Sequence, residues 1–97
     1  MDNQAFLAVI SVELVIPESR SLKTKRKIIK SIVDRIRSRF NVSVSEIAYL
    51  DKWQRAVIGI AMISNNRQLI EKCHAGIELV LQDYAEINLV EMRIEWI

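Results

Sequence analysis

From Phe6 to Ile16 apolar side chains fall on every second position, Phe6, Ala8, Ile10, Val12, Leu14 and Ile16, with Ser11 and Glu13 among the residues between them. Period-two alternation of this length predicts a β-strand with one wholly apolar face. Pro17 ends it. Ser19 and Ser21 then offer capping hydroxyls, and Leu22, Ile29, Ile32, Val33, Ile36 and Phe40 recur at helical spacing, which predicts a helix over about Ser21 to Asn41. Val42 to Leu50 is rich in β-branched residues and reads as a second strand, with its alternation broken near Glu46 and Ile47, where a bulge would sit. After a polar tip at Asp51 to Gln54, the stretch from Ala56 to Ser64 is apolar on both parities. That is the pattern of a central strand, and it forms a hairpin with the strand before it. Asn65 and Asn66 can cap a second helix whose face is Leu69, Cys73, Ile77, Val80 and Tyr84, with Gly76 weakening it modestly. The last strand, Ile87 to Ile97, places Val90, Met92, Ile94 and Trp96 on one side and Glu91, Arg93 and Glu95 on the other.

The order βαββαβ in a chain of 97 residues predicts one α+β domain spanning residues 1–97, a ferredoxin-like fold with a four-stranded antiparallel sheet and two helices on one face. The longest apolar stretch, Ala56 to Ile63, is well short of the roughly 18 residues of a membrane span. The start, Met1-Asp2-Asn3-Gln4, is polar and acidic, unlike a secretory leader, so a cytoplasmic protein is expected.

Charge changes this picture. Nine Lys and Arg residues lie between Arg20 and Arg39 against a single acid, Asp34, a local charge of +8 in a chain of net charge +2. Cations in a first helical turn oppose the helix dipole, so Lys23 and Lys25 favour a nearby anion. On the helical wheel Lys23, Arg26, Lys27, Lys30 and Arg37 share one flank in a stripe about 20 Å long. Asp34, four residues from Lys30 and three from Arg37, mutes its far end. Arg35 and Arg39 point to the other flank.

In this topology the first strand-to-helix junction and the loop between strands two and three lie at one end of the sheet. Arg20, Lys23, Lys25, Arg26, Lys27 and Lys30 would there meet Lys52, Trp53, Gln54 and Arg55, a surface suited to phosphates and stacked bases. A hairpin tryptophan either buries its ring on its own domain or presents it as a platform, and both remain open for Trp53. Lys25 projects into the apolar arc. Either its stem carries the ammonium past the sheet end to the site, or the helix begins later than drawn.

No catalytic constellation is found. Gly59 and Gly76 are the only glycines and neither precedes a helix, so no phosphate-cradling loop exists, which speaks against a nucleotide hydrolase, a small-phosphate sensor or an acyl-phosphate enzyme. The lone Cys73 and His74 are helix neighbours about 100° apart, poorly placed as nucleophile and base. They are too few for a zinc site, and Cys73 reads as a buried inert thiol. Glu91 and Glu95 share the outer sheet face with Glu13 of the adjacent strand, but about 13 Å apart along their strand they are too distant for paired carboxylate catalysis, and Arg93 between them suggests ordinary cross-strand ion pairing. No cofactor and no metal are expected. The outer sheet face carries Leu7, Val9 and Val15 beside the two-sided third strand, so a homodimer or a docked protein is an alternative use of the molecule. Because the third strand has no aromatic residue, RNA is expected at the sheet end and helix flank rather than across the sheet.

Three segments, Ser19 to Arg26, Arg39 to Glu46, and Asp51 to Ala56 with Gly59, resemble the YlxP-like family of small bacterial proteins, and the likeness spans nearly the whole chain. The resemblance implies a ferredoxin-like fold and a bacterial cytoplasmic protein. Members are often encoded near translation-initiation and ribosome-maturation factors, which implies an RNA or ribosomal-particle partner, and the family supplies no catalytic residue to carry over. Members commonly have an acid where this chain has Thr24, so the first turn here is more positive than the usual pattern. The leading expectation is a non-enzymatic RNA-binding or ribosome-associated module.

Overall fold

The computed structural model describes residues 4–97; the polar start at Met1 to Asn3 lies outside them. The elements are β1 (Phe6–Val15), α1 (Leu22–Arg39), β2 (Ser43–Ala48), β3 (Arg55–Ser64), α2 (Arg67–Gln82) and β4 (Asn88–Trp96). The strands form one sheet in the order β2-β3-β1-β4 with every neighbouring pair antiparallel, the ferredoxin-like arrangement expected from the pattern. Alternation in β1 translates directly into burial: Ala8, Ile10, Val12 and Leu14 are fully enclosed, facing Ile32 and Ile36 of α1 and Ile77 and Leu81 of α2 in one core. Each such isoleucine or leucine contributes about 1.5–3 kcal/mol by leaving water. Ser21 adopts extended backbone and its hydroxyl accepts the Thr24 N–H at 3.0 Å, so α1 starts at Leu22. Asn66 caps α2 in the same way through the Gln68 N–H at 2.9 Å. Among the described residues no helix is long and apolar enough to cross a membrane.

The break foreseen in β2 is a bulge: Glu46 pairs with Ile58 and Ala48 with Val57, which leaves Ile47 as the extra residue. Glu46, two residues after the buried Val44 and so on the same inner face, meets Lys25 of α1, and Ile47 lies over Gly59. A Cβ at Gly59 would come within 3.0 Å of the Ile47 side chain, so the mid-strand glycine makes room for the bulge.

A second irregularity corrects the reading of β4. Glu13 pairs with Glu91 but Leu14 with Leu89, so Val90 is passed over and stands 55% exposed, while Leu89 takes the inner place beside Met92, Ile94 and Trp96. On α2 Ile77 and Val80 are buried and Cys73 and Tyr84 pack against the core as expected, and one position of the expected face differs. Leu69 is 50% exposed, and Ile70 and Leu81 join Ile77 and Val80 in the core. At Gly76 α2 closely approaches the end of α1: a Cβ there would sit 2.9 Å from the Phe40 ring, which would have to shift to admit it.

Candidate nucleic-acid interface

Backbone bonds bring the two predicted halves of the site together. The Ile16 N–H donates to the Gln54 carbonyl at 2.8 Å, and the Gln54 side-chain amide donates back to the carbonyls of Pro17 at 3.2 Å and Ser19 at 3.1 Å. The β1–α1 junction and the β2–β3 loop are therefore stitched to each other, with Gln54 as the latch rather than as a ligand contact. Within the loop the Lys52 N–H closes a turn on the Tyr49 carbonyl at 3.0 Å. Tyr49 itself has φ of 61°, the left-handed region that a bulky side chain occupies at a cost of about 1–3 kcal/mol.

Lys25 helps offset that cost, and here the structure corrects the expected site. The Lys25 side chain is fully buried; its ammonium donates to the Tyr49 carbonyl and lies 2.7 Å from Glu46 Oε2. Helix α1 does begin at Leu22, and the stem runs into the protein instead of past the sheet end. A buried ammonium has lost its water and needs a fixed partner, which β2 supplies in Glu46, on the inner face two residues after Val44. The contact with Oε2 is ionic rather than an aligned hydrogen bond, since that oxygen has no donor within good geometry. Lys25 is thus a pin between α1 and the loop, and its charge is unavailable to a ligand.

Arg55 is exposed but engaged. It pairs with Glu13 at 2.5 Å and lies over the Tyr49 ring at 4.3 Å, and the hydrogen bond it donates to Glu13 raises its already high pKa. Glu13 therefore answers to Arg55, while Arg93 approaches Glu91 at 3.8 Å. Along α1 the muting by Asp34 is visible at Lys30, whose ammonium it meets at 2.6 Å. Arg37 donates to the Val44 carbonyl at 3.2 Å, and Arg35 crosses to α2, where it meets Asp83 at 2.7 Å and stacks over Tyr84. Arg20, Lys23, Arg26, Lys27 and Lys52 are exposed and have no ion-pair partner among the described residues. Trp53 is 53% exposed, so its ring is presented to solvent, and with Lys52, Gln54 and Arg55 it lines a shallow concavity.

Such a surface can hold anions through five exposed cations and can stack a flat ring on the indole. Cys73 is a half-buried free thiol on α2, and the neighbouring His74 has its Nε2 enclosed without a partner; both lie apart from this surface. Sequence reasoning missed the roles of Gln54, Tyr49 and Glu46. One signal was available for Glu46: a lysine on the apolar arc of a helix calls for a buried acid on the strand it covers.

Residues 7–94 match the family model described as "Protein of unknown function (DUF503)". The chain belongs to this family. The "Uncharacterized protein YlxP" of Bacillus subtilis (strain 168) is 40% identical over 84 residues, 87% of this chain and 91% of that one, in agreement with the YlxP-like segments above. Among solved structures the designed protein Foldit4 superposes with a TM-score of 0.58 at 17% identity over 97% of both chains. Ferredog-Diesel, also designed, gives 0.48 at 11% identity over 98% of this chain and 89% of that one. The likeness to Foldit4 is one of fold, and a fold that can be designed de novo carries no function with it. The DUF503 chain must therefore be read from its surface.

Proposed function

We propose that this DUF503 protein is a non-enzymatic RNA-binding or ribosome-associated module of the bacterial cytoplasm, working through the basic end of its sheet. The observation that carries the reading is the joining, by the Gln54 latch, of unpaired cations on α1 to Lys52 and the exposed Trp53 on the loop. Cations without acidic partners attract phosphate and release its counterions, and an exposed indole adds a stacking surface, a combination that single acidic ligands do not need. The test is retention of cellular RNA and ribosomal particles by the wild-type chain and by a Lys23→Glu/Arg26→Glu/Lys52→Glu variant, titrated with salt. Binding at low salt that the variant loses is expected; equal retention by both, or none by the wild type, sinks the reading.

A second reading rests on the opposite face of the sheet, where Ile47, Ile63 and Leu7 are 55%, 66% and 37% exposed. On that reading the chain pairs with a second copy or docks a protein through the open sheet. Light scattering over a concentration series decides self-association: a dimer that Ile63→Glu dissociates supports it, and a monomer at every concentration removes the homodimer.

A further inference from the structure

We infer that the ligand of the basic end is a short single-stranded segment of RNA, with one base stacked on Trp53 and its phosphates on the cations around it. The inference rests on the RNA reading above and narrows it.

Cations alone do not distinguish a single strand from a duplex or from an acidic protein surface, because all three offer closely spaced negative charge. The indole does distinguish them. Bases within a duplex are stacked on both faces and present no ring to a side chain, whereas every base of a single strand has a free face, and a carboxylate surface has none. Trp53 stands 53% exposed at the tip of the loop, and two of the three residues sharing its concavity are already committed. Arg55 is held by Glu13 and Tyr49, and Gln54 by the carbonyls of Pro17 and Ser19. They form a fixed wall beside the ring, and Lys52 is the cation there without an ion-pair partner among the described residues.

The extent of the surface points the same way. Beyond the loop, the cations on this flank without an ion-pair partner among the described residues are Arg20, Lys23, Arg26 and Lys27, and the run stops where Asp34 takes up Lys30. From the first turn of α1 to Lys27 is only about 8 Å of helix. Proteins that read duplex RNA by shape touch two successive minor grooves across about 16 base pairs, far more than this surface offers, whereas a few nucleotides of single strand fill it.

Fluorescence anisotropy with a labelled ten-nucleotide oligouridylate and a 16-base-pair RNA hairpin tests this with the intact protein. The single strand is expected to bind at least tenfold more tightly than the hairpin. Its affinity should fall with a log–log salt slope of about −2 to −4, for three to five phosphates. Trp53→Ala should weaken it about five- to hundredfold, with Trp53→Phe restoring most of the loss. The ring is exposed, so both variants should melt near the wild-type temperature. Equal affinity for hairpin and single strand, or single-strand binding that Trp53→Ala leaves unchanged, overturns the single-strand assignment while the RNA reading stands. Binding of neither RNA at low salt overturns both and turns attention to an acidic protein partner.

Discussion

The two halves of α1 carry similar charge and use it differently. From Lys30 onward three of the four cations are committed to the fold, Lys30 to Asp34, Arg35 to Asp83 and the Tyr84 ring, and Arg37 to the Val44 carbonyl, while Arg39, on the opposite flank of the helix from the stripe, is exposed without an ion-pair partner among the described residues. In the N-terminal half Lys23, Arg26 and Lys27 reach into solvent without an ion partner among the described residues, and Lys25 alone turns inward. A count of basic residues treats these positions alike. Their surroundings separate them, because a cation with a fixed acid or carbonyl beside it adds little to the outward field, while an unpaired one adds all of its charge. The basic stripe is therefore half scaffold and half candidate surface, with the boundary at Lys30.

The sharpest break within this comparison comes at Lys25. Lys25→Ala strands Glu46 and removes a bond from the strained Tyr49, so it should cost about 3–5 kcal/mol in urea unfolding. Lys23→Ala, two residues away, should stay within about 0.5 kcal/mol. Similar losses from both would mean that Lys23 is also structural. Glu46→Ala should approach the Lys25→Ala loss, and the double variant should fall well short of the two losses added, because the survivor of a broken buried pair is what costs most.

Ligand binding is the next largest effect. Neutralising Lys23 and Arg26 together should flatten the salt slope of RNA binding by about 1.4, at about 0.7 for each phosphate no longer neutralised. Neutralising Arg35 and Arg37 should leave the slope unchanged. A matching change in both pairs would erase the boundary at Lys30.

The fold and the convergence of the two segments were readable because they follow from period, cap residues and connection order: the β1 alternation, Ser21, and the break at Glu46 and Ile47 all reappear in the structure. What was not readable depends on a single-residue choice of face. A bulge switches the faces of a strand across it, which is how Leu89 displaced Val90, whereas Glu46 faces Lys25 because it shares the inner face of β2 with Val44. The Gln54 latch has no sequence signature, since a side chain bonding to backbone carbonyls about 35 residues away leaves no local pattern. Leu69 and Ile70 are adjacent and both apolar, so helical spacing alone could not choose between them, and the structure buries Ile70.

The seating of Gly76 against Phe40 also ties the far end of α1 to the core and gives a smaller prediction. Gly76→Ala gains about 1 kcal/mol of helix propensity but drives a methyl into the Phe40 ring, an overpacking cost of about 1–3 kcal/mol. The net expectation is a loss of about 1 kcal/mol by chemical unfolding. A stabilised variant would show that Phe40 moves aside freely and that the end of α1 is less firmly seated than its committed arginines suggest.

The smallest effect is a titration. The hydrogen bond from Arg35, with the nearby charge of Arg39, holds the Asp83 carboxyl below its ordinary pKa of 3.8. A depressed carboxylate contributes stability that is fully present above the unfolded-state value and is lost as pH falls through the folded one. The window therefore lies in acid, from just above pH 3.8 downward, and leaves neutral-pH behaviour untouched. Carbon-detected NMR of Asp83 should give a midpoint below 3.8 that Arg35→Gln returns toward it. An unshifted Asp83 would release Arg35 from the scaffold and add it to the cations free to meet a ligand, moving the boundary on α1 toward its C-terminus.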